Sequence, residues 1–313
     1  MRDPLGPSGG DHHFRAASVK HPLPERAAVR DPYELARSVE TYLACPRCHA
    51  SVVVRDGQIR CGQSECGFAS AITGGIPIMR GQLDRSFFDD KHAVMEHGSA
   101  EPGVRRCCYA EQAAVIEALI PGKAVVVDVG CGPALSYQRP KSSFLIGVDM
   151  SYESLCANTE VDLAVYASAG ELPMADGSVD AIVSLYAIHH FGGQNRRENE
   201  ARVARGFAEF RRVLKPGASL LIFELSPWWP IWQVQRTAWD LVRKLMPAMD
   251  IFFWRERALL DVAARHFGGK ATLRRVRFKA PLMTPIPPVF ACPALKIPRL
   301  LFPFHVNLYH WTV

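Results

Sequence analysis

Residues 125–137 read VVVDVGCGPALSY. Four valines around one aspartate make a short run that is apolar on both faces, which suits a strand buried inside a parallel sheet. The run breaks into Gly130-Cys131-Gly132, a turn whose two glycines carry no Cβ, and its backbone N–H groups are expected to face a polar ligand at close range. About twenty residues on, FLIGVDMS supplies a second buried strand ending at Asp149. A glycine turn after one strand and an acid after the next is how doubly wound sheets hold a ribose-bearing ligand.

The rest of the chain supports such a sheet. Further strands are expected at 162–167, 180–186 and 219–224. Between them the pattern predicts a helix over Tyr109 to Ile120, a short helix stopped near Pro140, a helix from about Ser151 and a polar helix at 195–213. Strands alternating with helices on short connections make a parallel α/β sheet. ATLRRVRF (271–278) and HVNLYHW (305–311) alternate in character and are expected to form an antiparallel edge pair. In the stretch 226–254, Trp228, Trp232, Trp239, Val242, Met246 and Met249 recur at helical spacing on one face, as either a packing helix or an aromatic lid. The proline-dense segment 281–304 would be a second wall.

Three motifs stand in order: Asp128 to Gly132, DGSVD (Asp176 to Asp180) and LKPG (Leu214 to Gly217). With them the chain resembles class I S-adenosylmethionine-dependent methyltransferases over roughly residues 105–226. The resemblance implies an α/β fold, a doubly wound Rossmann-like sheet of seven strands, with S-adenosylmethionine as cofactor. It implies that Asp128, Gly130, Cys131 and Gly132 wrap the methionine part and that Asp149, followed by Met150, holds the ribose. Ser168 and Ala169 fall near the adenine, Ser168 standing where the family often has an acid. Ala134 replaces the usual third glycine. Ser184 falls at the cofactor, and the stretch from Ser184 to His190 faces the acceptor. Tyr186, His189 and His190 are the catalytic candidates. His189 is the best base among them because imidazole titrates near working pH, and the alternative is that it orders its loop through backbone hydrogen bonds.

Residues 42–80 form a second unit. Cys45 and Cys48 make a C-x-x-C knuckle, a hairpin turns at Asp56-Gly57, and Cys61 and Cys66 close a set suited to tetrahedral structural zinc. The segment resembles the zinc ribbons of small activator proteins that partner methyltransferases, which end in a similar G-I-P-x-M, here Gly75 to Met79. It also resembles the ribbon of large-subunit ribosomal RNA guanine-N1 methyltransferases, a similarity that extends to Ala167-Ser168, Tyr186-Ala187 and Asn307-Leu308. The second knuckle is wider than usual, with four residues between its cysteines, which brings in His49 as a substitute ligand. The remaining divisions are a disordered leader (1–35), a connecting helix (82–104) and a methyltransferase domain (105–313) with insertions at 226–268 and 281–304. Because the sheet has its own core, residues 1–80 are expected to be removable.

The net charge of +6 is uneven: residues 226–313 hold thirteen Lys or Arg against four Asp or Glu. A small or lipid-like metabolite is the first acceptor reading, suggested by the aromatic and proline-rich insertions. Ribosomal or transfer RNA is the alternative, suggested by the ribbon and the basic last third, and a non-catalytic zinc-ribbon scaffold is the third. No apolar run reaches membrane-spanning length and no signal core opens the chain, so a cytoplasmic location is expected, with at most peripheral membrane contact.

Overall fold

The computed structural model describes residues 31–80, 83, 110–120, 122, 124–246, 251–268, 271–278, 282–283 and 297–313. Most of the leader, the helix expected within 82–104, Met249 and most of the 281–304 insertion lie outside them.

The helix α1 (Pro32–Tyr42), capped by Asp31, precedes a ribbon of four antiparallel strands: β1 (Val52–Arg55), β2 (Gln58–Cys61), β3 (Ala69–Thr73) and β4 (Ile76–Pro77). The β1–β2 turn needs two left-handed residues, and Asp56 (φ 51°) and Gly57 (φ 71°) supply them.

Helix α2 (Ala110–Leu119) leads into β5 (Val125–Val129). Then follow β6 (Phe144–Asp149), α3 (Tyr152–Ala157), β7 (Leu163–Tyr166), β8 (Val179–Leu185), α4 (Arg196–Val213) and β9 (Leu214–Pro227). Helices α5 (Trp229–Leu245) and α6 (Glu256–Phe267), strand β10 (Thr272–Arg277), the small pair β11 (Leu282–Met283) and β12 (Ile297–Pro298), and β13 (Phe304–Thr312) complete the order. The seven-stranded sheet runs β10-β13-β9-β8-β5-β6-β7, with β7 through β9 parallel and β13 antiparallel to both neighbours. The chain winds outward in opposite directions from β5 and β8, and the crevice beyond their carboxyl ends is the switch point where such sheets bind ligands.

The sequence motifs hold the sheet together. Asp180 of DGSVD accepts from Val125 N (2.8 Å) and from Lys215 Nζ of LKPG (2.7 Å), linking β8 to β5 and β9. Arg212 donates to the carbonyls of Leu172 and Met174 and to the carboxylates of Glu209 and Asp176, which fixes the 172–176 loop.

Three expectations need correction. Residues 131–143 form successive turns instead of a short helix. Pro133 and Pro140 bracket too few residues, the residue before Pro140 is disfavoured in the helical region, and the N–H groups of Leu135 and Gln138 bond Glu160 and Glu117 instead. The aromatic face of the 226–254 helix is shorter than its spacing suggested. Trp228 and Met246 flank α5 as cap residues and are exposed, while Trp239 is buried against Phe252, and Trp232 and Trp254 pack against the same ring.

The third correction concerns residues 1–80. Ribbon residues Leu35, Val39, Val52, Ile59, Phe68 and Met79 share one core with Val127, Ile146 and Val165 of the sheet. Tyr42 stacks on Phe144 with ring centroids 3.9 Å apart. Ile78 bridges Tyr166 in parallel, Met79 N donates to Tyr166 O (2.9 Å), and Ala44 N donates to Pro173 O (2.8 Å). The ribbon is thus a separate sheet packed against β7 and joined to it by one parallel bridge, and is not a tethered module.

Candidate functional site

The Sγ atoms of Cys45, Cys48, Cys61 and Cys66 lie within 4.8 Å of one another, with Cys45–Cys66 at 3.6 Å and Cys48–Cys61 at 3.4 Å. Four thiolates about 2.3 Å from a tetrahedral Zn²⁺ would stand about 3.8 Å apart, so the donor set fits that ion. The wide second knuckle is taken up by a 3₁₀ turn, Ser64–Cys66, and the left-handed Gly67 (φ 64°), which bring Cys66 back to the cluster. His49 is no ligand: its Nδ1 turns away to lie 3.8 Å from Asp176 Oδ1. Burial pushes the Cys45 thiol up to about 12, while the Ala50 N–H and Cys61 draw the exposed Cys48 thiol down to about 7. A bound dication would deprotonate the set outright.

The glycine turn departs from the sequence reading in its hydrogen bonding. Gly130 N donates to Val148 O (2.8 Å), Cys131 N to Val148 O (3.4 Å) and Gly132 N to Asp149 Oδ2 (2.9 Å), so these N–H groups are spent on β6 instead of facing a ligand. Gly130 holds φ at 77°, and a Cβ there would meet the Cβ of Ala187 at 2.4 Å. The glycine is required by the close approach of the loop after β8. Cys131 points inward, its Sγ filling the space a side chain on Gly147 would need. Asp128 is buried and accepts from Tyr137 Oη (2.8 Å), and burial followed by this carboxylate raises the phenol well above its ordinary value.

Asp149 sits at the carboxyl end of β6, one oxygen on Gly132 N and the other on Ser151 N (2.8 Å). A carboxylate accepts about four bonds, so these two do not by themselves exhaust it. Met150 beside it is 38% exposed. At the end of β7, Ser168 Oγ accepts from Gly170 N (3.2 Å) and Ala169 is buried. Ser184 is fully enclosed, and its Oγ has no hydrogen-bond partner among the described residues. By strand alternation it shares the face of Ile182, against the helices.

Beyond β8, Tyr186 adopts φ 55°, a left-handed conformation costing about 1–3 kcal/mol in a bulky residue. Its Oη accepts from Gln112 of α2 (3.2 Å) and its N–H is held by Phe223 O. This kink throws the chain into the 3₁₀ turn Ile188–His190. There His189 Nδ1 meets Glu224 Oε2 at 3.0 Å, and Glu224 Oε1 also accepts from the N–H groups of Ile188 (2.9 Å) and His189 (3.3 Å). Glu224 is 1% exposed. The carboxylate fixes the proton on Nδ1, leaving Nε2 as the acceptor nitrogen, and Nε2 has no hydrogen-bond partner among the described residues. The His190 ring lies 4.1 Å from that of His189, and Phe253 covers the other side at 5.1 Å. Sequence reasoning missed Glu224; its signal was one acid inside the apolar run SLLIFEL.

Residues 127–222 match the family described as methyltransferase domain. One chain of the solved complex between the Haloferax volcanii Trm112 methyltransferase activator and its methyltransferase shares this fold. It superposes at TM-score 0.50 and 17% identity, covering 73% of this chain and 98% of that one. The chain carries a class I S-adenosylmethionine-dependent methyltransferase domain. Among curated proteins, the domain is 31% identical over 157 residues to the tRNA (carboxymethyluridine(34)-5-O)-methyltransferase of Arabidopsis thaliana, covering 50% of this chain and 34% of that protein. It is 31% identical over 106 residues to ALKBH8 of Mus musculus, a tRNA methyltransferase of the same name, covering 33% of this chain and 15% of that one. It is also 30% identical over 108 residues to the demethylmenaquinone methyltransferase of Corynebacterium kroppenstedtii, covering 34% of this chain and 43% of that one. The chain thus spans about a third or less of the two tRNA enzymes. Among the described residues, no helix is long and apolar enough to cross a membrane.

Proposed function

We propose that this protein transfers a methyl group from S-adenosylmethionine to RNA, with tRNA as the first substrate class to test. The observation that carries this reading is that the methyltransferase domain is 30–31% identical to proteins named tRNA methyltransferases. The small-metabolite reading rested on the aromatic and proline-rich insertions; in the first, Trp232, Trp239, Phe252 and Trp254 pack on one another, and most of the second lies outside the described residues.

S-Adenosylmethionine supplies an electrophilic methyl on a sulfonium whose departure needs no proton. Asp149 offers a carboxylate to the ribose, the Gly130–Gly132 turn shapes the floor, and Met150, Ser168 and Ala169 border the adenine side. Cys131 and Ser184 contribute only backbone, because their side chains are enclosed. The acceptor is aligned above β8, where alignment alone can remove roughly 7–11 kcal/mol of barrier. His189 Nε2 takes the acceptor proton, and Glu224 steadies the imidazolium that results; Tyr186 and His190 shape the mouth. Zn²⁺ on the four cysteines braces the ribbon against β7.

The test is to give purified protein labelled S-adenosylmethionine together with total tRNA and, separately, a small-molecule extract. Label in tRNA supports the reading. Label confined to the extract refutes it in favour of a metabolite such as a quinone precursor, and no transfer despite cofactor binding would favour a scaffold.

A further inference from the structure

At the carboxyl end of β9 lies a groove of about 710 Å³ formed where α5 and α6 begin and where β10 ends. Two tryptophans and four arginines dominate its lining: Trp228, Trp229, Arg255, Arg257, Arg275 and Arg277. Its acids are Glu256 and Asp261. Glu256 is occupied, accepting from Arg275 (3.3 Å), Arg277 (3.0 Å) and Asn307 Nδ2 (3.3 Å). Arg255 and Arg257 have no ion pair among the described residues.

The placement of those two arginines runs against helix electrostatics. Arg255 is the N-cap of α6 and Arg257 its second residue, where the helix dipole disfavours cations. Neither N-cap side chain holds the first turn of α5 or α6, although the first N–H of α6, on Glu256, is taken by Ser226 Oγ (2.9 Å). An anion in the groove compensates the two guanidinium groups that the helix dipole disfavours. Beside this charge Trp228 is 38% exposed and Trp229 55% exposed. Large flat apolar rings next to uncompensated guanidinium groups are what a nucleotide chain needs, a π-face for bases and cations for phosphates. The groove begins at Ser226 and Pro227, only two and three residues beyond Glu224 on the same strand, roughly 7–10 Å at strand rise.

We infer that this groove binds the single-stranded RNA flanking the nucleotide to be methylated, with bases on Trp228 and Trp229 and phosphates on Arg255 and Arg257. The inference rests on the RNA reading above. It goes beyond that reading by locating the strand on the β9 side of the transfer site.

The test measures fluorescence anisotropy of a labelled 15-nucleotide single-stranded RNA with the full zinc-loaded chain, across a salt series. Arg255→Ala/Arg257→Ala should weaken binding at least tenfold. It should also lower the slope of log affinity against log salt by about 1.4, since each phosphate that is no longer neutralised removes about 0.7. Trp229→Ala should cost about tenfold with an unchanged slope. Thermal stability of the double variant should not fall, because the deleted charges oppose the helix dipole. If wild-type protein methylates tRNA while the double variant keeps full affinity and slope, the groove assignment is wrong and the RNA reading stands. If wild-type protein neither binds RNA nor methylates it, both fall. Loss of binding to phosphatidylserine vesicles in the double variant, with RNA affinity unchanged, would overturn the inference in favour of a membrane surface.

Discussion

Replacing Glu224 by Gln separates a base-positioning role from a purely structural one. The carboxylate receives Ile188 N, His189 N, Leu225 N and His189 Nδ1, all within 3.3 Å, in an interior it barely shares with solvent. The Gln carbonyl oxygen can keep the two N–H groups now on Oε1. Its NH₂ then takes the place of Oε2 and points donors at Leu225 N–H and at Nδ1. Leu225 N–H loses its acceptor, a cost of about 1–3 kcal/mol for a buried group. The imidazole Nδ1 then faces an NH₂ where Oε2 stood at 3.0 Å and keeps only the neutral carbonyl oxygen at 3.2 Å, so the carboxylate that steadied the imidazolium is lost. Loss of a general base slows turnover roughly 10²- to 10⁴-fold. The assay is the initial rate of labelled-methyl incorporation into tRNA, alongside calorimetric affinity for S-adenosylmethionine and a melting curve. The expected result is a fall in kcat of at least a hundredfold, cofactor affinity within a few-fold of wild type, and a folded protein. A folded variant with kcat within threefold of wild type would show that His189 only orders its loop.

Cys61→Ser should lower zinc from one equivalent per chain and depress the melting temperature of the whole protein, as measured by metal analysis and calorimetry; Cys156→Ser, outside the cluster, should leave the stoichiometry unchanged. Deleting residues 1–80 should yield insoluble or strongly destabilised protein, since Val39, Ile59 and Met79 share the sheet's core; a soluble, cofactor-binding fragment would contradict the shared-core account. Gly130→Ala should cost several kcal/mol, because φ 77° and a Cβ approach of 2.4 Å add their penalties, and titration calorimetry should find cofactor affinity reduced at least tenfold.

Much of the architecture was legible in the chain. The valine run, the alternating elements and the ordered motifs sufficed for seven strands and for the antiparallel pair, because parallel strands buried on both faces leave a strong apolar signature. The four cysteines carried their own geometry. What escaped depended on long-range packing. The close approach of Gly130 to Ala187 joins residues 57 apart, so a glycine that looked like room for a ligand is room for another loop. Glu224 acquires its role only when β9 lies beside β8 and places it under the 188–190 turn. The union of ribbon and sheet was hidden for a related reason: Tyr42, Ile78 and Met79 look like one unit's own apolar residues until Phe144 and Tyr166 lie against them.

Strand β7 is the last of the seven, and its four residues, Leu163 to Tyr166, are all buried. Left bare, such a strand would present a row of open backbone donors and acceptors along a sticky margin, a template for pairing with another copy of the chain. The strand Ile76–Pro77 and the following Met79 lie over that margin. Because the cover belongs to the same polypeptide, its local concentration does not fall on dilution. Loss of metal would therefore show itself first as turbidity, with activity disappearing into the precipitate, and the four cysteines would act as guardians of colloidal behaviour for a strand edge that other residues cover.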